Sequence, residues 1–140
     1  MIFRERLDAL LEEYDAAVAQ LQGKRRWLDG LLGLGKHPGE DPCHDQLDER
    51  VKALCDEASG EEATAGGRLE LVEGILRAEG RWKGPEFARL MLCAIQRHAL
   101  PLIPLLEGAD RARLAEWYAK ACPRYRRLPV QEQVLAALKK

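Results

Sequence analysis

The chain has 140 residues, of which 46% are hydrophobic and 32% charged. That length suits one domain, residues 1–140, and that composition excludes a disordered tail. Its 22 basic and 23 acidic side chains nearly cancel, so no overall charge draws it to nucleic acid or anionic lipid.

The residue menu narrows the fold. There is no Asn, and Ser59 and Thr64 are the sole serine and threonine. Leu, Ala, Glu and Arg dominate while Val and Ile are few, which favours helix and disfavours sheet. The longest run without Asp, Glu, Lys or Arg is His98 to Leu106, nine residues with two prolines. A membrane helix needs roughly 20 apolar residues, so no membrane partner is expected. The N-terminal residues enter an amphipathic pattern directly and lack a secretory signal's apolar core. A cytoplasmic protein is therefore expected, with Cys43, Cys55, Cys93 and Cys122 as thiols.

The first predicted helix runs from Phe3 to about Leu32. Phe3, Leu7, Leu10, Tyr14, Ala17, Leu21 and Leu28 recur every three or four residues, and Leu11, Val18 and Leu32 widen the stripe. Lys24 interrupts it beside Gly23, which suggests a kink or a change of partner. Gly33, Gly35, Pro38 and Gly39 end the element. Asp41-Pro42 opens the next helix, since Asp can accept free amides and Pro suits the first helical position. Cys43, Leu47, Val51, Leu54 and Cys55 share its face, to about Ala58.

Ser59-Gly60-Glu61-Glu62 matches a capping box, so a third helix is expected from there to about Glu79. Its apolar face is Ala65, Leu69, Val72 and Leu76. Gly66, Gly67 and Gly74 within it suggest fraying or a close helix neighbour. After a loop at Gly80–Gly84, Pro85 opens a segment that is apolar nearly all round at Leu90–Ile95, hence central and buried. Pro101 and Pro104 break or kink it. A helix follows from about Ala109 to Cys122, stopped by Pro123. Leu128-Pro129 starts a last short one carrying Val130, Val134, Leu135 and Leu138. The expected fold is all-α: a compact antiparallel helical bundle of five to seven helices around a buried, proline-interrupted central helix.

Chemistry-bearing patterns are sparse. Gly30 to His37 is one residue from a P-loop, but His37 replaces the hydroxyl that holds magnesium, and a helix precedes it where a strand is needed. His37, Cys43, His44 and Cys55 are zinc-type ligands. Their spacing lacks CxxC, and Cys43 and His44 point about 100° apart on a helix. The cysteines read better as small core residues, and no metal or other cofactor is expected. His98 falls on the apolar face with Phe87, Met91 and Ala94. Its structural reading is a neutral imidazole donating to a carbonyl freed by Pro101 or Pro104. The catalytic reading pairs it with Cys93 or Cys122, and spacing gives that no support. No catalytic residue is assigned.

Charge placement is more informative. Residues 1–70 carry 9 basic and 16 acidic side chains, and residues 71–140 carry 13 and 7. Acids concentrate at Glu40–Glu62. Lys120, Arg124, Arg126 and Arg127 surround Tyr125 in a stretch free of acids. These five residues are the candidate partner- or anion-binding site, on an exposed link between Pro123 and Pro129. Arg with an aromatic can pair with protein carboxylates or with phosphates and bases. The expected function is a non-enzymatic protein-interaction module, adaptor or regulatory, whose partner is another protein or a second copy of the chain. Two alternatives stand beside it: a binder of an anionic ligand or nucleic acid through the same loop, and a metal-binding or Cys/His-dependent protein. Nucleic acid ranks lower because the domain as a whole is not basic.

Overall fold

The computed structural model describes the backbone of residues 3–32, 42–82 and 86–140, and the side chains of 3–20, 45–82 and 86–140. Among these residues there are six α-helices and no strand: α1 (Phe3–Leu32), α2 (Pro42–Ala58), α3 (Ala65–Arg77), α4 (Glu86–Ala94), α5 (Gly108–Ala121) and α6 (Pro129–Lys139). No described helix is long and apolar enough to cross a membrane.

Helix α1 buries Leu7, Leu11, Tyr14 and Val18, one residue per turn as the stripe requires. It packs on α2 and α3. From α2 come Leu47, Val51, Leu54, Cys55 and Ala58. Cys55 is a core residue as expected, and burial pushes its thiol up to about 12. Cys43 lies outside the described side chains. Gly74 of α3 marks a close approach: a Cβ there would stand 2.8 Å from both Arg4 Cδ and Leu7 Cδ2. Nothing lies within 4 Å of a Cβ added at Gly66, so the close-neighbour reading holds at Gly74 and not at Gly66.

The start of α3 differs from the capping box expected at Ser59. Ser59 Oγ instead donates back to the Asp56 carbonyl at 2.7 Å, closing the end of α2. Thr64 is the N-cap, its Oγ1 accepting from Gly67 N at 3.0 Å. Either hydroxyl suits a cap, and the turn at residues 59–63 decides between them.

The segment after Glu86 is the centre of the fold, but it is helical in pieces. Helix α4 ends at Ala94, 3₁₀ turns follow at Ile95–Ala99 and Ile103–Leu105, and Leu92, Cys93, Ile95, Gln96, Ala99, Leu102 and Ile103 are all inaccessible. The Ile95–Ala99 turn touches α2, α3, α4 and α6. Pro101 lacks a donor and its ring displaces the carbonyl four residues back. That Arg97 carbonyl accepts from Leu100 N, and the Ala99, Leu102 and Ile103 carbonyls accept from Leu102, Leu105 and Leu106. The 3₁₀ pattern thus supplies donors within the segment itself.

His98 consequently has a different partner from the carbonyl the sequence suggested. Its Nε2 meets Asp48 Oδ1 of α2 at 2.8 Å, and the same carboxylate accepts from Arg97 at 2.7 Å. The histidine ties the central segment to α2. In the core, the Tyr118 hydroxyl donates to Gln96 Oε1.

Candidate functional site

Helix α5 ends where Cys122 N reaches the Tyr118 carbonyl at 2.9 Å and Pro123 stops propagation. The chain then makes a 3₁₀ turn over Arg124–Arg126, closed by Arg126 N donating to Pro123 O at 2.9 Å. Two side chains fix the path of the chain beyond this turn. Arg127 Nε donates to the Cys122 carbonyl at 3.0 Å, and its Nη1 lies 3.6 Å from Glu132. Gln131 Oε1 accepts from Leu128 N at 2.9 Å, capping α6.

The five sequence-predicted residues therefore divide. The Arg127 side chain is only 12% exposed and belongs to the fold. Lys120 pairs with Glu116 one turn back on α5 at 3.7 Å. Arg124, Tyr125 and Arg126 point outward, and Tyr125 is 85% exposed. Among the described residues none of the three side chains makes a hydrogen bond or an ion pair within 4.0 Å. Arg126 does act at longer range: Glu86 is held below the usual carboxylate range chiefly by its hydrogen bond from Arg89, with a smaller contribution from Arg126. The turn thus lies beside the start of α4, where exposed Leu90 is one turn along from Glu86 on the same face.

Beneath the turn is a polar seam that sequence reasoning missed. Gln131 Nε2 donates to Glu79 Oε2 at 3.0 Å and reaches the Cys122 and Cys93 sulfurs at 3.4 and 3.8 Å. Arg89 donates to Glu79 at 3.1 Å and to Glu86 at 2.7 Å. One signal was available: Gln at the third helical position after a cap is half of a capping box. Its contacts to Glu79 and the cysteines had no local trace.

The seam does not support nucleophilic chemistry. Burial pushes the Cys93 thiol up to about 12 and raises that of Cys122, so neither forms the reactive thiolate near neutral pH. His98 bonds Asp48 while both thiols meet Gln131, so the structure gives the suggested Cys/His pair separate partners. Ser59 and Thr64 are engaged at helix ends. Among the described residues no three His, Cys, Asp or Glu side chains converge as metal ligands. His37 and the His44 side chain lie outside the described set, as does most of the P-loop-like run.

Among the described residues, no acid of the Glu40–Glu62 stretch pairs with Arg124, Arg126 or Arg127. Asp48 pairs with Arg97 and His98, and Glu57 with Arg6. Its base Arg50 reaches back to Glu13 at 2.6 Å.

Comparison with protein-family models, curated proteins and solved structures finds no match. The functional reading therefore rests on this geometry alone.

Proposed function

We propose that the chain is a helical protein-interaction module without catalysis of its own, and that Arg124, Tyr125 and Arg126 contact an acidic partner protein. One observation carries this reading. The flanks of the turn are pinned by Arg127 and Gln131, yet the three side chains between them are left to solvent. A pinned turn loses little conformational freedom on binding. Tyr and Arg are the residue types that most often dominate binding energy at protein interfaces. Two unpaired guanidiniums select carboxylates and speed their encounter. A cytoplasmic setting, where the thiols stay reduced, belongs to the same proposal.

The test compares the native chain with Arg124→Glu/Arg126→Glu and with Tyr125→Ala. Proteins cross-linked to the native chain in host extract should be lost with both variants and with added salt, and should be acidic where they touch the turn. Capture that survives both variants would overturn the site. Binding of a single-stranded oligonucleotide, abolished by the same variants, would move the reading to nucleic acid.

A further inference from the structure

An open groove of about 610 Å³ lies where α1 begins, α2 ends and α3 begins. Asp56, Glu57, Glu61 and Glu62 line it, against one lining base, Arg6, which is already paired with Glu57. Asp56, Glu61 and Glu62 are exposed, and among the described residues their carboxylates have no hydrogen bond or ion pair. Arg68 beside them is committed to the Ala58 and Gly60 carbonyls. Half-buried Phe3 gives the groove an aromatic wall. The Arg124–Arg126 turn is its counterpart: two guanidiniums without ion-pair partners on either side of protruding Tyr125. These surfaces lie at opposite ends of α3. Thr64 and Gly67 line the groove at its start, and Glu79, just past its end, bonds Gln131 beneath the turn. The helix between them has 13 residues, which span about 20 Å. No arginine of the turn can reach the groove of its own molecule.

We propose that the acidic partner of the turn is a second copy of this chain, whose groove receives Tyr125 between Arg124 and Arg126. The inference rests on the reading of the turn as a binding surface. Charge complementarity selects the occupant: the carboxylates left without partners at one end of α3 match the guanidiniums left without partners at the other. Tyr125 packs its ring against Phe3 of the other copy, an aromatic contact that charge compensation alone does not supply. The contact joins two different surfaces, so every copy offers one turn and one groove.

Sedimentation equilibrium of the full chain at low and high salt tests it. The native chain should self-associate as its concentration rises and come apart in high salt. Arg124→Glu/Arg126→Glu and Glu61→Arg/Glu62→Arg should each weaken association at least about tenfold, as close charge pairs across an interface do. All four side chains are exposed, so both variants should melt with the native chain. The deciding sample is an equal mixture of the two. One variant keeps the native groove and the other the native turn, so association should return in the mixture where neither variant associates alone. A native chain that stays monomeric at low salt would overturn the proposal. So would self-association untouched by either variant, or a mixture that stays monomeric. The reading of the turn is tested separately. If the native chain is monomeric while cross-linking in host extract is still lost with Arg124→Glu/Arg126→Glu, the turn binds a different acidic protein and only the second copy is ruled out.

Discussion

Gln131 Nε2 lies 3.0 Å from the Glu79 carboxylate, across 52 residues of sequence. The same side chain accepts from Leu128 N, so one glutamine both starts α6 and anchors it to the turn that follows α3. Gln131 is buried, which leaves no water to replace these bonds.

Gln131→Ala should therefore cost about 2–3 kcal/mol in urea unfolding, from the lost cap and the buried polar groups left without their partner. Gln131→Glu should cost more, because it sets a second carboxylate beside Glu79. A loss below about 0.5 kcal/mol for both would show that the seam contributes nothing to stability.

Gly74 and Gly66 should respond to alanine in opposite directions. In an exposed helix Gly→Ala gains roughly 0.8–1 kcal/mol, and Gly66, with open space at its Cβ, should gain most of that. At Gly74 the new methyl would meet Leu7, which is fully buried and has no room to yield. Overpacking of about 1–3 kcal/mol then exceeds the propensity gain. Thermal melts of the two single variants decide it, and stabilisation by Gly74→Ala would contradict the close packing of α1 on α3.

The buried thiols make stability fall in alkali. Cys55 and Cys93 ionise near 12 when folded, against about 9 when exposed. Above about pH 9 the unfolded chain releases these protons and the folded chain keeps them. The stability contribution is therefore complete below pH 9 and is lost as pH rises towards 12, at no more than about 1.4 kcal/mol per pH unit for each thiol. Urea midpoints measured at intervals between those limits should decline, and Cys55→Ala should lessen the slope. A slope unchanged by that substitution would remove Cys55 from the account.

Much of the helical layout is legible locally. Pro42, Pro123 and Pro129 punctuate the chain by chemistry that needs no tertiary context. The one-per-turn spacing from Leu7 to Val18 defines the buried face of α1. The choice of Thr64 over Ser59 was not legible, because both hydroxyls qualify as caps and only the path of the intervening turn separates them. Asp48 and His98 are 50 residues apart, and a pattern of spacing carries no information at that range. The candidate site was half legible. Composition locates Arg124, Tyr125 and Arg126, but the same composition includes Arg127, and only the backbone's return towards Cys122 turns that guanidinium inward.

That division among the arginines gives the sharpest prediction. Arg124 and Arg126 have no ion-pair partner within 4.0 Å among the described residues, so Arg124→Glu/Arg126→Glu should change stability by no more than about 0.5 kcal/mol. The small contribution of Arg126 to Glu86 is long-range and exposed, and salt should screen it. Arg127→Glu is a different change. It removes the donor to the Cys122 carbonyl and faces a carboxylate towards Glu132, and it should cost about 1–3 kcal/mol. Much of that cost is a lost hydrogen bond, so high salt should recover only the repulsion and not the whole. Urea unfolding of both variants at low and high salt separates the cases. If the double variant destabilises as much as Arg127→Glu, Arg124 and Arg126 serve the fold, and the turn is no longer a surface held free for a partner.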